Sequence, residues 1–80
     1  DQCQASIYPN PVSDELHIDL PYDNIVTQVF LLDMQGRVVK SMNTSSVSNI
    51  MNLSDVTSGL YMLNVKAGGA SKTFKVKVMH

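Results

Sequence analysis

The chain has no tryptophan and a single cysteine among its 80 residues. One cysteine makes no internal disulfide, so the paired-cysteine staple of many small domains is excluded. Cys3 is either an unpaired thiol or a partner for a cysteine elsewhere. Histidine is equally scarce: His17 and His80 are the two, and no Cys/His cluster has metal-ligand spacing. A serine nucleophile needs a base and an orienting group, and two histidines so placed offer no triad. Gly68-Gly69 lies between strand-like segments with no helix after it, so no phosphate loop is expected. No apolar run nears the ~20 residues that span a bilayer. No signal-peptide pattern opens the chain, and its first residue is not Met. The segment therefore reads as part of a longer precursor, with no cofactor and no catalysis expected.

What is present is aliphatic and alternating. Hydrophobic residues make up 44 % of the chain, enough to pack one small core without staples. The net charge is −1, but it is unevenly placed. Residues 1–55 hold all seven acids against Arg37 and Lys40, a balance of −5. Residues 56–80 hold Lys66, Lys72, Lys75 and Lys77 with no acid, a balance of +4. Two readings fit. The lysines solvate a strand face and protect an edge, or they form a basic surface for an acidic partner. Four lysines without interleaved aromatics do not make a nucleic-acid footprint.

Period-two alternation dominates, and no helical stripe is present. Residues 5–8 read as a first strand, ended by Pro9 and Pro11, which lack the N–H a ladder needs. Leu16, Ile18 and Leu20 face one way, while His17, a surface histidine, and Asp19 face the other. Pro21-Tyr22-Asp23-Asn24 is a turn cluster. Residues 25–32 are apolar on both faces, so this strand is central or covered on both sides. Asp33-Met34-Gln35-Gly36 is a tight hairpin in which Asp33 bonds turn N–H groups and Gly36 supplies a positive φ. A lone Asp does not make an EF-hand loop, which needs several spaced oxygen ligands and a closing Glu.

Residues 37–42 return as a strand, 43–46 loop out, and 47–53 form another strand. Residues 54–59 turn around one anchor, Val56. Tyr61, Leu63 and Val65 share a strand face, residues 67–70 form a hairpin turn, and residues 72–79 close the fold. In that last strand Phe74, Val76 and Val78 point inward and Lys75 and Lys77 outward. Most of the five aromatics read as core, and His80 as a mobile end. Seven short strands with turns between them predict an all-β fold, an antiparallel β-sandwich, with a small closed barrel as the competing arrangement.

Four motifs in order carry a family resemblance. They are Tyr8-Pro9-Asn10-Pro11; Asp33 and Gly36 with Arg37 and Val39; Val56 and Gly59 with Tyr61 and Val65; and the closing run of Lys and Val from 72 to 78. Together they span about residues 7–79, and the chain resembles the C-terminal sorting domain of proteins exported by the type IX (Por) secretion system, type A family. Val56 stands where Leu is usual, Leu32 where an aromatic is common, and the chain ends Val78-Met79-His80.

The resemblance implies a seven-stranded Ig-like antiparallel β-sandwich over residues 5–80, preceded by 1–4 as a flexible lead-in at the end of a linker from an upstream cargo domain. It implies passage through the periplasm, delivery to the outer-membrane translocon, and then the cell surface or the medium. A sortase-like cysteine peptidase then cuts at or upstream of Asp1, and the cargo is attached at the surface. The candidate translocon contacts are Lys72, Lys75, Val76, Lys77 and Val78. If the last strand is an edge, it is open to pairing with a partner strand or a second copy. The competing function is an Ig-like or fibronectin-like accessory module that binds carbohydrate or protein; against sugar binding stands the lack of tryptophan.

Overall fold

The computed structural model describes residues 5–21 and 25–80. Cys3 and the lead-in 1–4 lie outside the described residues, as do Tyr22, Asp23 and Asn24 of the expected turn. The elements are β1 (Ser6–Tyr8), β2 (Glu15–Asp19), β3 (Thr27–Leu32), β4 (Val38–Thr44), β5 (Ser48–Asn52), β6 (Gly59–Ala67) and β7 (Ala70–Val78). Two separate antiparallel sheets form, one in the order β1-β2-β5 and one in the order β4-β3-β6-β7. The fold is the Ig-like sandwich and not the closed barrel. An immunoglobulin constant domain sets its fourth strand beside the fifth; here β4 lies beside β3 in the second sheet.

Alternation builds the core. Leu16, Ile18, Val29, Leu31, Leu53, Leu63, Val65 and Val76 have no exposed surface. Met51 is buried as well, and Tyr61 and Phe74 pack half-buried against the cluster. Val12 is a core residue that no strand pattern announced, only 1 % exposed.

Three expectations are corrected. Residues 43–46 are not all loop, because β4 runs through Thr44. Its polar residues still find backbone partners on β3, where Gln28 faces Asn43 and Thr27 faces Thr44. The turn follows, tied by Asn49, which accepts a hydrogen bond from Thr44 Oγ1 at 2.6 Å and donates to Ser46 O at 2.9 Å. The second correction concerns the aromatics. Tyr8 is exposed and stacks on His17, with ring centroids 5.0 Å apart. Phe30 lies on the outer face of β3, where the Lys66 ammonium stands 5.9 Å from its ring centroid. The strand is central, as its sequence requires, and its second apolar face is only half-buried. Third, Gly59 is not in the turn but opens β6.

A clasp and a lysine face around the last strand

Tyr8-Pro9-Asn10-Pro11 leaves β1 and crosses to the edge of the other sheet. The two prolines cannot donate to a ladder, so the asparagine side chain does the pairing. A primary amide carries one acceptor and an N–H donor set much as a peptide unit does. Asn10 Nδ2 donates to Lys75 O at 2.8 Å, and Asn10 Oδ1 accepts from the Lys77 N–H at 3.1 Å. Two residues on, the backbone takes over. The Val12 N–H donates to Lys77 O and the Met79 N–H to Val12 O, each at 2.8 Å. Val12 thus pairs in parallel with Val78. Asn10 occupies the place of the preceding backbone unit, opposite Val76.

The clasp corrects the expectation of an open edge on β7. Over 75–79 the edge is already bonded to Asn10 and Val12. Pairing with a partner strand or a second copy would be left the 71–73 part of that edge.

The Asp33 turn is a cage around one carboxylate. Asp33 Oδ1 accepts from the N–H of Gln35 at 2.9 Å and of Arg37 at 3.0 Å, and Oδ2 accepts from Arg37 Nε at 2.9 Å. The Arg37 backbone N–H holds the Asp33 carboxyl below the usual carboxylate range against the opposing effect of burial, with lesser help from the Arg37 side chain and the Gln35 N–H. Gly36 sits at φ +87°, a left-handed conformation that a side chain would strain. Beyond the turn the register shifts, so Leu32 faces Val38 while Leu31 faces Lys40, and Val39 is the extra residue of the bulge.

The third motif packs its turn from below and ties it from above. Val56 is buried, and the Tyr61 hydroxyl donates to Thr57 O at 2.6 Å. A tyrosine bonded back to its own upstream turn is a recurrent Ig-fold device. His80 docks on the same turn and is not free. Its N–H donates to Ser58 Oγ at 3.1 Å, and its Nε2 lies 2.6 Å from Val56 O. No sequence pattern announces that contact.

The candidate contacts of β7 do not share one surface. Val76 and Val78 are core residues. Lys72 shares the inward parity of Phe74, with its ammonium 5.1 Å from that ring. Lys75 and Lys77 face outward, opposite Met62 and Leu60 of β6. The same outer face carries Lys66, and no acid among the described strand residues points there. The outer face of β1-β2-β5 has the opposite sign, with Glu15 and Asp19 on β2 flanking His17. Asp19 holds the nearby Tyr8 hydroxyl above its usual range, chiefly by charge.

All four motifs meet at the last strand. Asn10 and Val12 hold one edge of β7, and Gly59 and Tyr61 pair with Val78 and Val76 on the other. Met34 of the Asp33 turn lines a hollow with Leu60, Tyr61 and Lys75. This is an Ig-like sandwich organised around its C-terminal strand. The family model of the secretion system C-terminal sorting domain matches residues 6–79. The chain belongs to that family, the C-terminal sorting signals of type IX secretion cargo. Such a signal serves an upstream cargo that passes the periplasm and is secreted or displayed at the cell surface, and the family is not known for catalysis. A search of the curated proteins finds no match.

Proposed function

We propose that the outer-membrane translocon reads this domain folded, at the outward face of β7 that carries Lys75 and Lys77. The clasp is the observation that supports this reading. With β6 on one edge and Asn10 and Val12 on the other, the two lysines project from a backbone held on both sides. A rigid strand presents its charges in one geometry, so a receptor loses little ordering entropy in binding it. Val76 and Val78 act from within by fixing the strand, and Lys72 lies outside the patch.

In the same reading a sortase-like cysteine peptidase removes the domain ahead of the sandwich, at or upstream of Asp1, and the cargo is attached at the surface. Peptidases need extended, accessible substrate. Ala5 is buried and Ser6 pairs with Asp19, so the fold resists cutting from residue 5 onward.

The test is export of a reporter fused to the 80 residues in a host with the type IX apparatus. Lys75→Glu with Lys77→Glu keeps the inward valines and reverses only the outer charge. The expected result is a wild-type melt with reduced export. Wild-type export by the double variant rejects the lysine face. Failure of the unmodified chain to export any reporter rejects recognition of these residues altogether.

A further inference from the structure

The outer face of β4-β3-β6-β7 is more apolar than a solvated sheet face needs to be. Val38, Leu32 and Met62 stand opposite one another across three strands, and Lys75 ends the row. Val38 of the row is 56 % exposed, and beside the row Leu60 is 57 % exposed and Met34 of the adjoining turn 60 %. Sheets that face water on one side usually place polar residues there. A contiguous exposed apolar patch marks an interaction site.

Two further features say what fits. Met34, Leu60, Tyr61 and Lys75 line a hollow of about 110 Å³. Met34 and Leu60 give it an aliphatic lining and Lys75 brings a cation beside it, so it suits one aliphatic side chain next to a carboxylate. A methionine wall adapts to the shape of what enters. The face also carries Lys66, Lys75 and Lys77, while the hairpin's Asp33 is already bonded to Arg37 and the turn. Its charge complement is therefore acidic.

We infer that this face docks an acidic protein segment that seats one aliphatic side chain in the Met34–Leu60–Tyr61 hollow, with its carboxylates on Lys75 and Lys77. The inference rests on the sorting-signal reading and names the chemistry of the receptor. A membrane surface fits less well, because a shaped hollow selects one side chain and the sheet face carries Phe30, half-buried, as its sole aromatic among the described residues. A second copy could offer Glu15 and Asp19, but such a contact joins unlike faces and would build a ring or a filament of many copies.

The test has a binding arm and an export arm. The 80-residue chain, labelled for nuclear magnetic resonance, is titrated with two blocked peptides, Asp-Glu-Leu-Asp-Glu and Asp-Glu-Ser-Asp-Glu. The leucine peptide should shift amides around Leu60, Tyr61 and Lys75 and bind about ten-fold more tightly than the serine peptide. Leu60→Ser, at an exposed position, should leave the melt unchanged and remove that preference. Equal binding of the two peptides, or shifts centred on β1-β2-β5, overturns the inference. Self-association abolished by Glu15→Lys with Asp19→Lys overturns it in favour of a second copy. Binding to phosphatidylglycerol vesicles that Leu60→Ser abolishes overturns it in favour of a membrane. In the export arm, Leu60→Ser should reduce reporter export about five-fold. Full export by that variant, while the unmodified chain also exports, sinks the hollow and spares the sorting-signal reading. No export by the unmodified chain sinks the reading itself.

Discussion

Asn10 and Lys77 lie 67 residues apart in the chain and share a hydrogen bond of 3.1 Å, from the Lys77 N–H to Asn10 Oδ1. The same side chain donates to Lys75 O, so one residue closes the edge of the last strand with both ends of its amide. The Tyr-Pro-Asn-Pro motif therefore acts on the C-terminal strand. It joins the start of the domain to its end.

Asn10→Ala should break this closure. Two exposed hydrogen bonds are lost, at a cost of about 1–2 kcal/mol. In a domain of this size that lowers the melting temperature by about 4–8 °C for each kcal/mol. Hydrogen exchange should quicken at the Lys77 amide more than at Leu63 in the core. Uniform acceleration across β6 and β7 would show that Asn10 supports the whole sheet and not the edge.

Leu63 has no exposed surface and lies where β6 faces both Leu31 and Phe74. Leu63→Ala should destabilise the domain by about 2–5 kcal/mol, the range for a buried leucine that leaves a cavity. So small a domain has little more than that to lose. A calorimetric melt unmoved by the substitution would contradict the packing.

Asp33 gives the acid limb of stability a defined contributor. Its folded carboxyl is held below its ordinary value by the Arg37 N–H foremost. A group depressed in the folded state stabilises it fully above the unfolded pKa, about 4. That contribution is lost as pH falls through the lower folded value. Asp33→Asn should therefore flatten the dependence of the melting temperature on pH below about 4 relative to the parent. Parallel pH profiles for parent and variant would remove Asp33 from this role.

Asn64 Oδ1 is covered and has no hydrogen-bond partner among the described residues, although its Nδ2 donates to Thr73 Oγ1 at 2.9 Å. An unsatisfied buried acceptor costs about 1–3 kcal/mol, while the neutral hydrogen bond contributes about 0.5–1.5 kcal/mol. Valine also suits a strand better than asparagine. Asn64→Val should melt at or above the parent temperature. A lower melting temperature would mean that the Thr73 bond outweighs the orphaned oxygen.

The strands and their facings were legible because a pleated strand turns each side chain to the opposite face from its neighbours. Leu16 with Ile18, Val29 with Leu31, and Leu63 with Val65 announce buried faces by spacing alone. Asp33 and Gly36 announce their turn for the same local reason. An acceptor side chain and a residue free to take positive φ are both needed within four positions. Local signals misjudged the end of β4, because Asn43 and Thr44 look like loop residues until β3 supplies them with partners.

The sequence by itself thus determined an all-β chain, its turns, most of its core and the four motifs that define its family. Those depend on period and on residue chemistry within a few positions. Tertiary structure alone decided that Asn10 and Val12 would close the edge of β7, and that His80 would dock on the Val56 turn. It also decided that Lys75 and Lys77 would stand opposite Met62 and Leu60 of β6, whereas the opposite facing of Lys72 follows from alternation along the strand itself. The physical reason is distance along the chain. A contact between residues dozens of positions apart depends on sheet order and register, and no local pattern of hydrophobicity encodes which strand will lie beside which.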